Sequence, residues 1–181
     1  MTRRREPDDT FDVDGRTFGV WAERDDWQRA PWEDDDTYHG LVTDWLGRDK
    51  RPNERTLVRD RGSARFIDWA GLVARARAEG WHGEGGATPG QRAEQAAFAA
   101  FERLRAWCRD EWYYAWIEVL PLDDDGKPLP VPPEAMNTLG GVESDYIDEA
   151  ARDCASAVIA AEEDIGWHDP RALELGQPIA A

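Results

Sequence analysis

The chain has 181 residues, enough for one domain of ordinary size, and its 41% hydrophobic content with ten tryptophans indicates a folded protein. Its formal net charge of −16 repels nucleic acid and anionic membranes and attracts basic surfaces. We therefore expect neither direct nucleic-acid binding nor membrane association. The basic start runs into acidic residues, and no window approaches about 18 consecutive apolar residues, so neither a signal peptide nor a membrane span is expected.

Charge is distributed unevenly along the sequence. Residues 1–44 contain 6 Lys/Arg and 13 Asp/Glu, residues 45–110 contain 13 and 9, and residues 111–181 contain 3 and 16. The basic middle can pair with the acidic ends within the protein, or the two kinds of surface can face different partners.

The N-terminal part is expected to begin with a frayed end over residues 1–10 and then to form a hairpin. Residues 11–21 alternate around the Asp14-Gly15 turn, as hairpin strands do. An irregular acidic segment follows. Its acidic run is either a solvated loop or part of a binding or metal surface, and consists of Glu33, Asp34, Asp35 and Asp36.

A basic cluster follows, together with a second predicted hairpin. The hairpin pairs residues 56–59 with residues 64–67 around a four-residue loop. Because the whole chain is acidic, internal salt bridges or a solvated face explain the cluster better than phosphate contacts do. The cluster comprises Arg48, Lys50, Arg51, Arg55, Arg59, Arg61 and Arg65.

Two helices are predicted next. Asp68 is expected to cap a helix over residues 69–79. Thr88 and Gln91 form a capping box for a second helix over residues 89–109. Its buried stripe is Ala97, Phe101, Leu104 and Cys108.

Residues 112–120 are rich in aromatic and β-branched side chains, which predicts a strand that is apolar on both faces. Such a strand belongs in the middle of a sheet. We expect its smaller side chains to lie beneath a helix. Its larger rings are expected to lie under the loop that carries Trp27 and Trp32, and belong to Trp112, Tyr114 and Trp116.

An acidic turn follows the strand. Asp123, Asp124 and Asp125 precede Gly126, which is typical of a hairpin turn. A calcium loop with its glycine at the sixth position would place prolines at its first and last ligand positions, so no metal site is expected.

The last predicted element is an amphipathic helix over residues 146–163, which follows a short strand over residues 139–143. Ser144 or Asp145 is expected to cap it. Its inward face is small and apolar: Ile147, Ala150, Ala151, Cys154, Ala157, Val158 and Ala161. Its outward face carries six acids: Asp145, Asp148, Glu149, Asp153, Glu162 and Glu163.

These elements predict an α+β fold. Both hairpins and the strand over residues 112–120 are expected to form one mainly antiparallel sheet, with about three helices packed on one side. We expect a single domain over residues 11–170 and a loose tail over residues 171–181.

No catalytic motif stands out. His39, His82 and His168 lie in predicted loops, and none of the common zinc-protease, hydrolase or redox spacings is present. Cys108 and Cys154 occupy apolar helical stripes, where a thiol usually acts as a small hydrophobic group. We therefore expect two structural cysteines in a reducing compartment, no cofactor and no enzymatic activity.

Five short passages resemble a family of small acidic proteins from phages, prophages and plasmids: residues 48–52, 60–63, 104–108, 110–112 and 141–145. The resemblance covers most of the chain between Trp32 and Ala161. Since members of that family have no established activity, it implies a mobile-element accessory protein and supplies no catalytic residue.

Acidity and resemblance together predict a protein that blocks a basic host defence protein by presenting a DNA-like surface, in the manner of anti-restriction or anti-CRISPR proteins. Its place of action would be the host cytoplasm. The outward acids of the last helix are too sparse alone to match duplex DNA. The predicted partner-binding set therefore adds two acidic runs to those six acids: Asp34, Asp35, Asp36, Asp123, Asp124 and Asp125. The alternative is a phage accessory or assembly protein that binds another viral protein.

Overall fold

A computed structural model describes residues 5–34, 37–83 and 88–165 and confirms the α+β class. The strands are β1 (Asp9–Val13), β2 (Arg16–Arg24), β3 (Glu54–Asp60), β4 (Ser63–Asp68), β5 (Tyr114–Pro121) and β6 (Thr138–Glu143). The helices are α1 (Pro31–Asp34), α2 (Trp69–Ala78), α3 (Pro89–Trp107) and α4 (Ile147–Ile165), with a 3-10 helix at Ser144–Tyr146 directly before α4.

The chain divides into two compact units. The terminal unit comprises residues 1–26 and 113–181, and the middle unit comprises residues 27–112. Each has its own sheet and its own buried apolar cluster. Compactness alone does not make a unit an independent domain, so the single domain over residues 11–170 stays a prediction.

The terminal unit is built on a four-stranded antiparallel sheet with the order β1-β2-β5-β6. The first hairpin is confirmed: Val13 pairs with Arg16, and Asp14 and Gly15 both have positive φ angles, of 50° and 76°. These angles belong to the turn type whose twist matches paired strands. β1 begins at Asp9, two residues before the predicted start of the hairpin.

The central position of β5 is confirmed, because β2 and β6 flank it. Its smaller side chains face α4, as predicted. The shared cluster contains the fully buried residues Ala115, Ile117 and Val119 of β5 together with Ala151, Ala155 and Val158 of α4. The acidic helix is therefore fixed to the middle of the sheet.

The prediction that the loop carrying Trp27 and Trp32 covers the larger rings of the β5 stretch is wrong. Trp116 is 43% exposed, Trp27 is 95% exposed, and Trp32 packs edge-on against Trp107 in the core of the middle unit. Trp112 precedes the strand, and its indole N–H donates to the carbonyl of Arg103 at 2.8 Å. Aromatic content marked this stretch as buried surface but carried no information about which residues cover it.

The second hairpin does not join the main sheet. β3 and β4 form a separate two-stranded sheet in the middle unit, and α2 and α3 belong to that unit. The three helices therefore do not share one side of one sheet. The loop is also shorter than predicted: Asp60 pairs with Ser63, which leaves Arg61 and Gly62 as a two-residue turn with positive φ angles.

The predicted caps of the middle unit are confirmed. Asp68 accepts from the N–H of Gly71 at the start of α2, and Thr88 and Gln91 form the capping box of α3. The hydroxyl of Ser144, one of the two caps predicted for the last helix, accepts from the N–H of Tyr113 at 3.1 Å. Capping by Asp145, the other alternative, stays a prediction. The 3-10 helix has Glu143 as its N-cap, without a side-chain capping bond.

Candidate acidic interface

Helix α4 separates apolar from acidic side chains. The predicted inward residues Ala151, Cys154 and Val158 are buried, and Ala155 joins them. Five of the six predicted outward acids are exposed: Asp145, Asp148, Glu149, Asp153 and Glu163. Asp148, Glu149, Asp153 and Glu163 form no ion pair with a described residue. The helix therefore presents a row of uncompensated negative charge on a rigid support.

Glu162 differs from the other outward acids. Arg16, at the start of β2, donates to both of its carboxylate oxygens, and the Nη2 to Oε1 distance is 3.2 Å. The side chain of Glu162 is only 16% exposed. Its charge is therefore offset within the terminal unit, and its main effect is to tie α4 to the hairpin.

Strand β1 adds an exposed acid, Asp9, that was not predicted as part of the interface. β1 is an edge strand, and Asp9 and Asp12 are exposed on it. Asp9 and Asp148 line one cavity of about 90 Å³ between β1 and α4. Arg152 lines the same cavity, and its guanidinium carbon lies 5.1 Å from the centre of the Phe11 ring. Asp9 of the edge strand thus lies beside Asp148 at the start of α4.

The side chain of Asp123 stabilises the acidic turn that it begins. One oxygen of Asp123 accepts from the backbone N–H groups of Asp125 and Lys127, at 3.0 and 2.8 Å. The ammonium of Lys127 donates to Asp125 at 2.8 Å and lowers the pKa of that carboxyl. These bonds confirm the hairpin turn. Over the described ranges, no group of three or more His, Cys, Asp or Glu residues is placed to hold a metal ion.

The turn lies at the same end of the sheet as the Arg16–Glu162 pair. Asp123 and Asp124 line a cavity of about 780 Å³ whose other walls include Arg16. Arg16 therefore stands beside both the turn and the C-terminal part of α4. Whether residues 123–125 share one face with the acids of α4 stays a prediction.

The remaining acidic run belongs to the middle unit. Asp34 ends α1 in the middle unit, and Asp35 and Asp36 lie outside the described residues. Their convergence with the acids of the terminal unit stays a prediction.

The two units differ sharply in charge. The ranges of the terminal unit contain 8 Lys/Arg and 23 Asp/Glu, a net charge of −15, whereas the middle unit contains 14 and 15, a net charge of −1. Nearly all of the chain's excess charge therefore belongs to the unit that carries α4.

The basic cluster of the middle unit makes internal contacts at several positions. Arg48 donates to both oxygens of Glu54, at 2.8 and 2.7 Å, and the N–H of Arg51 donates to the same carboxylate at 2.7 Å. The Arg48 bond, aided by the Arg51 N–H and opposed by burial, lowers the pKa of Glu54 to about 2. Arg55 and Arg65 stack on aromatic rings instead. These contacts favour the internal role over phosphate binding.

The cysteines have the character of structural thiols. Burial raises the pKa of both Cys108 and Cys154, and at Cys108 it outweighs the opposing effect of Arg65. A raised pKa keeps a thiol protonated at neutral pH, and the protonated form is a poor nucleophile. Cys108 is the half-buried C-cap of α3, which places it at the end of the predicted stripe.

Comparison with protein-family models, with curated proteins and with solved structures gives no match for this chain. The likeness to small acidic proteins of phages and plasmids stays a prediction. Within residues 5–34, 37–83 and 88–165, no helix has the length and apolar character needed to cross a membrane.

Proposed function

We propose that the protein binds a basic, nucleic-acid-binding host protein through the acidic surface of its terminal unit and thereby excludes nucleic acid from that partner. The observation that carries the proposal is the concentration of a net charge of −15 in the unit whose helix α4 and edge strand β1 face solvent with acids. Such a surface attracts a positively charged groove and accelerates encounter with it.

The spacing of the acids fits one strand of a nucleic-acid backbone better than a whole duplex. Asp148 and Glu163 are separated along α4 by about 22 Å, at about 1.5 Å per residue. A single DNA strand carries about six phosphates over that length, and the duplex carries about thirteen. The helix supplies four uncompensated acids, Asp148, Glu149, Asp153 and Glu163. Asp9 of β1, which lines a cavity together with Asp148, raises this number to five.

Rigidity supports the same proposal. The buried face of α4 packs on β5, and Arg16 holds Glu162 near the far end of the helix. A surface that is already ordered loses little conformational entropy when it binds. A flexible acidic tail would lack this advantage.

The anti-defence role and the host cytoplasm as its place of action rest on the likeness to mobile-element proteins. A pull-down of the full chain from a lysate of the bacterial host tests both. Restriction or CRISPR components among the captured proteins would support the proposal, whereas virion proteins would support an assembly role. A chemically altered small molecule in the eluate would contradict the proposal by indicating an enzyme.

A charge-matched pair of variants makes this pull-down specific. Replacing Asp148, Glu149 and Asp153 with lysine changes the net charge from −16 to −10. Replacing the exposed Asp44, Asp49 and Asp60 of the middle unit with lysine changes it by the same amount. We expect only the first variant to lose the partner. Equal loss from both variants would show that net charge, and not this surface, governs capture.

A further inference from the structure

The middle unit contains a cavity of about 330 Å³ in which aromatic and charged side chains face the same space. Arg55 of β3 and Trp69 of α2 form one part of its wall. The other part is a stripe along α3, because positions three to four apart share one helix face. This stripe consists of Gln91, Glu94, Gln95 and Phe98.

Arg55 is held in this cavity by stacking. Its guanidinium carbon lies 3.3 Å from the centre of the Trp69 ring and 5.6 Å from that of Phe98. It has no hydrogen-bond or ion-pair partner among the described residues. A stacked guanidinium keeps its N–H donors at its edge, where they match a ligand that offers two adjacent acceptors.

Glu94 supplies hydrogen-bond acceptors and a negative charge, where Arg55 supplies donors and a positive charge. Its carboxylate is exposed, lines the same cavity and forms no ion pair with Arg55 or any other described residue. The cavity therefore offers donors on one wall and acceptors on another, with a formal charge of zero from this pair. Phe98, 49% exposed, adds an open aromatic face.

We propose that this cavity binds a purine of the guanine type, taken as a free nucleoside. Guanine presents O6 and N7 as paired acceptors for an arginine fork, and its N1–H and amino group are donors that a carboxylate accepts. Its ring stacks on an aromatic side chain. Adenine places an amino donor where guanine has O6, so it mismatches Arg55. The exposed carboxylate of Glu94 disfavours phosphate groups in the cavity, which makes a nucleoside a better fit than a nucleotide or a polymer.

Calorimetric titration of the full chain with guanosine tests this assignment. We expect saturable binding of guanosine, at least about tenfold tighter than binding of adenosine. Phe98→Ala and Glu94→Gln change exposed residues that line the cavity, and each should weaken guanosine binding about tenfold. The matched controls Trp27→Ala and Glu149→Gln, which change exposed residues that do not line the cavity, should bind guanosine like the unmodified chain.

Four results would overturn the assignment. They are absence of saturable binding at about 1 mM guanosine, equal affinity for guanosine and adenosine, unchanged affinity in both cavity variants, and tighter binding of a short guanine-containing RNA than of guanosine. The last result would identify a base within nucleic acid as the ligand. Because the titration needs no protein partner, its failure is distinguishable from failure of the acidic interface.

Discussion

Replacing Ile117 with aspartate should unfold the terminal unit, because this residue is the point at which α4 rests on the sheet. Ile117 is 0% exposed and pairs with Ala22 of β2 on one side and Leu139 of β6 on the other. Truncation of a buried isoleucine to alanine costs about 2–5 kcal/mol through lost burial and the remaining cavity. Aspartate adds the cost of burying an unpaired carboxylate. The total destabilisation is then comparable to the free energy of unfolding of a typical domain, which is about 5–15 kcal/mol.

Hydrogen exchange measured across the chain would resolve this effect by unit. We expect Ile117→Asp to remove amide protection from α4 and from β2, β5 and β6, and Ile117→Ala to lower it in the same elements. Glu118→Gln is the neighbouring control, since Glu118 is only partly buried, and it should change stability by less than about 1 kcal/mol. Native protection of α4 in Ile117→Asp would refute the claim that β5 holds the acidic helix.

Two further predictions concern the middle unit. Glu54→Gln should destabilise it by about 2 kcal/mol at neutral pH, because a charged, bidentate bond to Arg48 is lost. Since the pKa of Glu54 is lowered from 4.5 to about 2 in the folded protein, its contribution to stability is complete above about pH 4.5 and is lost as the pH falls towards about 2. Urea unfolding at several pH values should therefore show the two proteins converging in acid, and a constant difference would contradict this role. Cys108→Ala should lower the free energy of unfolding by on the order of 1 kcal/mol and leave partner binding intact. Loss of function in a fully folded Cys108→Ser protein would instead indicate that this thiol is catalytic.

Features that depend on neighbours in the sequence were predictable. The Asp14-Gly15 turn and the Thr88–Gln91 capping box each involve residues within four positions of one another, so composition and spacing define them. The acidic face of α4 was predictable for the same reason, because a helix places residues three and four apart on one side.

Features that depend on distant pairing were not predictable. β3 and β4 have the alternation of sheet strands, but nothing local shows that they form a sheet separate from that of β1, β2, β5 and β6. The contribution of Asp9 depends on β1 occupying the edge beside α4, and the neutralisation of Glu162 depends on Arg16, 146 residues away in sequence. The acids of α4 and of the 123–125 turn were therefore predicted for the site, whereas the position of Asp9 beside Asp148 and the pairing of Glu162 with Arg16 were not.

The most direct test of the acidic interface is displacement of labelled single-stranded DNA from the captured partner by the full chain. We expect the protein to displace DNA and its affinity for the partner to fall as salt rises, because exposed charges are screened. The variant with lysine at Asp148, Glu149 and Asp153 should displace DNA poorly and show a weaker salt dependence, while the charge-matched variant at Asp44, Asp49 and Asp60 should behave like the unmodified protein. Simultaneous binding of DNA and the protein to one partner, or an affinity that does not change between low and high salt, would contradict the account.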